Sequence, residues 1–61
     1  MPTINVQMFA GRSTEQKREF AKAVTEATCR SLGCGPEAVE ILITEVERED
    51  WFTAGVPWSE R

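Results

Sequence analysis

Two residues near the start of this chain have the chemistry for acid–base work on a small anion. Pro2 follows the initiator methionine. Inside a chain its nitrogen is an amide without an N–H, harmless at a strand edge. If Met1 is removed, as a small second side chain normally allows, Pro2 becomes a terminal secondary amine whose lone pair accepts a proton. A free α-amine titrates at about pH 7.7–8.0, and a prolyl amine is intrinsically more basic. Burial or a nearby cation lowers that basicity by disfavouring the ammonium form. Arg12 is the candidate cation, because its guanidinium cannot lose its proton. Ten residues separate the two in number, so they meet only by chain reversal or across a subunit boundary. On its own, an arginine beside a helix start reads first as a surface charge.

The elements that must position these residues follow from the pattern. From Thr3 to Phe9, Ile4, Val6 and Met8 alternate with Thr3, Asn5, Gln7 and Phe9, the signature of a half-buried strand. Ala10-Gly11-Arg12 breaks the alternation. Ser13-Thr14-Glu15-Gln16 then has the form of a capping box, which predicts a helix over 14–32. Phe20, Ala21, Val24, Ala27, Thr28 and Leu32 form its apolar stripe, and Glu26 and Arg30 stand in the favourable i,i+4 order on the outer face. Gly33 suits the helix end, and Gly35-Pro36 prevents its resumption. Val39–Val46, with Ile41-Leu42-Ile43 at its centre, reads as a strand buried on both faces in a parallel pair. Strand, helix and strand make one right-handed β-α-β unit. The aromatic tail, with Trp51, Phe52 and Trp58, is too short for its own core. It either folds back as a hairpin or reaches to a neighbour and helps form a pocket, and the second suits an obligate oligomer better.

Composition narrows the classes. Sixty-one residues make one domain, 1–61, and a chain this short buries only about 60% of the surface its unfolded form exposes. With no His and two Cys, Cys29 and Cys34, neither a zinc site nor a disulfide scaffold is convincing. Association is the remaining remedy, and the cysteines read as structural thiols. A net charge of −3 without a basic stripe argues against nucleic acid as a partner. No signal peptide, transmembrane run or lipidation motif stands out, so the expected location is cytoplasmic, with no membrane partner.

Pro2 after Met1, GRSTEQK at 11–17, the ITEV strand at 43–46, the aromatic Trp51 and Gly55 together resemble the 4-oxalocrotonate tautomerase family over essentially the whole chain. The resemblance implies an α+β, β-α-β tautomerase-like subunit with a short C-terminal hairpin or tail, assembling into an oligomer: a homohexamer of three dimers, or a heterohexamer. It implies an isomerase, a keto–enol tautomerase acting on a small-molecule carboxylate such as a 2-hydroxy-enoic or enolpyruvate-type acid, with no cofactor and no metal. Mapped by position, Pro2 is the catalytic base and acid, and Arg12 binds the substrate carboxylate. Trp51 takes the place of a pocket aromatic that excludes water and keeps the proline's basicity low.

Glu40 departs from that pattern. The family's prototype has a second arginine there, which binds the oxygenated end of a dicarboxylate, and a reversed charge repels such a group. Glu40 is then a solvent-facing residue of a mono-acid tautomerase, a mark of a subunit that pairs with an Arg-bearing chain, or a water-activating group in a hydratase or dehalogenase relative. Dehalogenases of the superfamily carry an additional arginine and a glutamate where this chain has Phe9 and Thr53, which ranks that activity below tautomerisation. Arg48 or Arg61 from a neighbouring tail is a further source of the missing cation. A non-catalytic oligomeric binding module on the same scaffold is the remaining class, and retention of Met1 favours it.

Overall fold

The computed structural model describes residues 2–61, so the removal of Met1 lies outside the described residues. Strand β1 (Thr3–Phe9), helix α1 (Thr14–Leu32) and strand β2 (Glu40–Val46) form the β-α-β unit. A hairpin of β3 (Phe52–Thr53) and β4 (Val56–Pro57) follows. β1 and β2 pair in parallel, with Thr3 opposite Glu40 and Phe9 opposite Val46. Val39, expected to open the second strand, instead closes a 3₁₀ turn at Pro36–Ala38, its N–H donating to the Pro36 carbonyl at 3.2 Å.

α1 begins at the capping box. The Ser13 N–H donates to Gln16 Oε1 at 2.9 Å, and the Gln16 N–H donates to Ser13 Oγ at 3.1 Å, so two orphan donors of the first turn are satisfied reciprocally. It ends at Gly33, whose φ of 70° is left-handed and whose N–H donates to the Cys29 carbonyl at 2.9 Å. The packed face is rotated from the expected stripe. Lys17, Ala21, Val24, Thr25, Thr28 and Cys29 are half-buried, whereas Phe20 and Leu32 remain 37% and 65% exposed. Two strands are too narrow to cover the whole apolar stripe, and the small residues at the contact let the helix lie close. The Thr28 hydroxyl is satisfied by donation to the Val24 carbonyl at 2.7 Å. Glu26 and Arg30 do not pair; the ion pair among the described residues is Lys17–Glu45 at 2.7 Å.

The sheet is covered on one side only. Ile4, Val6, Met8, Ile41 and Ile43 are half-buried beneath α1, while Thr3, Asn5, Gln7, Glu40, Leu42 and Thr44 are exposed on the opposite face. Leu42 is 58% exposed, so one chain does not bury Ile41-Leu42-Ile43 on both faces. No described residue is fully buried. The molecule is a slab of 42 × 24 × 13 Å with a radius of gyration of 14.5 Å, against about 10.5 Å for a compact domain of this length.

Within the chain, the tail takes the hairpin form of the two expected. It folds back on its own chain as a hairpin, with Phe52 opposite Pro57 and Thr53 opposite Val56, and Trp51 and Trp58 pack on Phe9 at the end of β1. The physical reason is a long-range contact: Phe9, at the end of β1, supplies an apolar platform within reach of both indoles. Among the described residues no helix is long and apolar enough to cross a membrane.

Candidate active site

β1 carries the two candidate residues at opposite ends. Pro2 is half-buried just before the strand, and its carbonyl accepts the Glu40 N–H at 3.0 Å. That bond fixes the start of β2 beside Pro2. The Glu40 side chain is exposed, level with Thr3 in the register. Arg12 lies beyond the other end. Seven residues of extended strand at about 3.3 Å each amount to about 23 Å. The chain reversal that would bring Arg12 to Pro2 within one protomer does not occur.

The loop that carries Arg12 is fastened from both sides. The Ala10 N–H donates to the Val46 carbonyl at 2.9 Å, extending the ladder past β1. Gly11 then adopts a φ of 119°, a conformation that L side chains rarely take, and this turns the chain toward α1. Glu45, at the neighbouring end of β2, accepts from Lys17 Nζ at 2.7 Å. The hydrogen bond and charge of Lys17 hold the Glu45 carboxyl below its usual range; the Gly11 N–H adds to this, and partial burial opposes it. Glu45 thus ties the first turn of α1 and the Gly11–Arg12 turn to β2.

Aromatic side chains converge at the same end. The Phe9 ring lies 4.8 Å from Trp51 and 5.7 Å from Trp58, with interplanar angles of 59° and 57°, tilted arrangements that suit the ring quadrupoles. Trp58 is pinned by donation from Nε1 to Thr53 Oγ1 at 3.0 Å and from its backbone N–H to the Trp51 carbonyl at 2.9 Å. Thr53 therefore has a structural task. Arg61 lies 4.9 Å over the Trp58 ring and donates to the Thr53 carbonyl at 3.0 Å. Arg48 lies 4.5 Å over Phe9. A cavity of about 350 Å³ is lined by Phe9, Ala10, Gly11, Arg12, Gln16 and Arg48.

The sequence-derived residues thus divide into two groups. Pro2 and Glu40 share one end of the sheet; Arg12 and Trp51 share the other. Phe9 and Trp58 were not among them, and Arg48 was only one of two alternatives. The signal for Phe9 was an aromatic closing an otherwise polar strand face. Cys29 and Cys34 are free and half-buried. Burial, then the adjacent Cys34, pushes the Cys29 thiol up, away from thiolate chemistry.

The profile of the tautomerase enzymes matches residues 2–61. A probable tautomerase of Streptococcus pneumoniae serotype 4 is 38% identical over 55 residues, spanning 90% of this chain and 92% of the relative. Among solved structures, one of the 4-oxalocrotonate tautomerase isozymes from Methylibium petroleiphilum superposes with a TM-score of 0.93 at 39% identity, covering 97% of this chain and 92% of that one. A heterohexamer 4-oxalocrotonate tautomerase from Chloroflexus aurantiacus gives 0.92 at 33% identity, covering 98% and 97%.

Proposed function

Because the chain belongs to the tautomerase family, we propose that it is a cofactor-independent isomerase, a single tautomerase-like domain that interconverts the enol and keto forms of a small carboxylic acid with Pro2 as base and acid. The observation that carries the reading is the family match itself, which begins at Pro2 and runs to Arg61. The chemistry is a proton relay. With Met1 removed, the unprotonated Pro2 nitrogen takes the hydroxyl proton of the enol; the O–H electron pair becomes the carbonyl, and the C=C pair accepts the proton at carbon from the prolinium. Arg12 holds the carboxylate through charge-assisted hydrogen bonds. Trp51, packed at a tilt against Phe9, walls the site from water and disfavours the prolinium.

Pro2 and Arg12 of one protomer cannot serve one substrate, so the site forms where Pro2 of one protomer meets Arg12 of another. The flat shape and absence of a buried core among the described residues support obligate association, with a homohexamer as the assembly. A heterohexamer is the second composition, supported by the C. aurantiacus relative and by Glu40 at the place of the prototype's second arginine. The proposed setting is the cytoplasm.

The test is Pro2→Ala with phenylenolpyruvate as substrate. A primary amine of altered basicity and geometry leaves a large but incomplete loss of ketonisation. An unchanged rate rejects Pro2 as the base.

A further inference from the structure

The geometry points to Arg48 as a second anion-binding residue of this site, acting with Arg12 on the head of a 2-oxo or 2-hydroxy-enoic acid, so that the carboxylate and the adjacent 2-oxygen are held by two guanidiniums in one cleft. The inference rests on the tautomerase reading and assigns the substrate class to particular side chains. Two permanent cations line the same cavity, an arrangement that like charges disfavour unless an anion lies between them. Neither has a carboxylate partner among the described residues, where the ion pair is Lys17–Glu45. Glu47, Glu49 and Asp50 flank Arg48 in sequence, and none of them captures it.

Arg48 is oriented without being used up. Its guanidinium lies over the Phe9 ring at 4.5 Å, a cation–π contact that restrains the long side chain and leaves its in-plane N–H donors free for a planar anion. Arg61, the other tail arginine, is committed elsewhere, over Trp58 and on the Thr53 carbonyl, and does not line the cavity. The cavity, at about 350 Å³, falls within the range of about 300–1,000 Å³ typical of small-ligand sites. Phe9 forms part of its wall, with Trp51 packed at a tilt against it, which suits an apolar or aromatic remainder. Glu40, at the Pro2 end, disfavours a second carboxylate at the far end of the ligand.

The test uses binding to the intact oligomer, measured by isothermal titration calorimetry. Benzoylformate is a 2-oxo acid that cannot enolise; phenylacetate has the same ring and carboxylate without the 2-oxygen. Wild type binds benzoylformate about tenfold more tightly, the gain from one added charge-assisted hydrogen bond. Arg48→Ala and the length-preserving Arg48→Gln weaken benzoylformate more than phenylacetate and bring the two ligands to within about twofold. Arg12→Ala weakens both. A wild type without the preference, or an Arg48→Gln protein that keeps it, overturns the assignment. Neither ligand turns over, so these outcomes are independent of whether Pro2 is the base.

Discussion

Pro2 and Arg12 stand at opposite ends of β1, and the Arg12 end also holds Trp51, Phe9 and Arg48. A site that uses both residues is therefore assembled from two protomers. Complementation follows as the first prediction. Protein acetylated at its terminus and Arg12→Ala protein are each nearly inactive, yet co-refolding them restores activity, because mixed oligomers contain sites with one intact Pro2 and one intact Arg12. A site built within one protomer gives no recovery.

The second prediction concerns association. Leu42 and Phe52 are 58% and 59% exposed in the single chain, and covering what remains exposed contributes about 1–2 kcal/mol for each side chain. Sedimentation velocity at micromolar concentration should show an oligomer, and Leu42→Glu should shift it toward smaller, less stable species. A folded wild-type monomer at that concentration contradicts the shared site.

Much of the scaffold was legible in the sequence for physical reasons. Alternation at Thr3–Phe9 and the Ser13–Gln16 box are local signals, and both elements begin where those signals begin. The helix stripe was less legible, because Phe20 and Leu32 are apolar at the right spacing but lie beyond what two strands cover. Of the two forms expected for the tail, the hairpin is present, and nothing local in Trp51 or Trp58 reveals that Phe9 receives them. The placement of Arg48 over Phe9 was illegible for the same reason: thirty-nine positions separate them, and only the parallel register brings the ends of β1 and β2 together. Pro2 and Glu40 became neighbours through that same register.

Glu45 yields a third prediction. Its carboxyl is held below the usual range by Lys17, so the folded state favours the ionised form. The stabilisation is present above the ordinary carboxylate range, near pH 4.3 or about that, and is lost as pH falls through the lower folded value. Thermal melts from about pH 7 to pH 3 should show wild type losing stability in the acid limb more steeply than Glu45→Gln. Identical pH profiles show that the pair does not fasten the Arg12 loop.

Glu40 yields a fourth, on substrate choice. With Glu40 at the Pro2 end of the sheet, wild type should have a higher kcat/KM for phenylenolpyruvate than for the diacid 2-hydroxymuconate. Glu40→Arg should improve the diacid selectively, on the order of tenfold or more, since a charge-assisted hydrogen bond contributes about 1.5–3 kcal/mol. A wild type that prefers the diacid, with no relative gain from Glu40→Arg, places Glu40 outside the pocket.

The most direct test of Pro2 as the base is the ketonisation rate of phenylenolpyruvate before and after selective acetylation of the terminal amine, with mass spectrometry verifying beforehand that Met1 is absent. Acetylation converts the Pro2 nitrogen to an amide without a basic lone pair and leaves Arg12, Arg48 and the aromatic wall untouched. The predicted result is loss of activity with the oligomer intact. Ketonisation at the original rate by the acetylated protein, or a fully active protein that retains Met1, contradicts it.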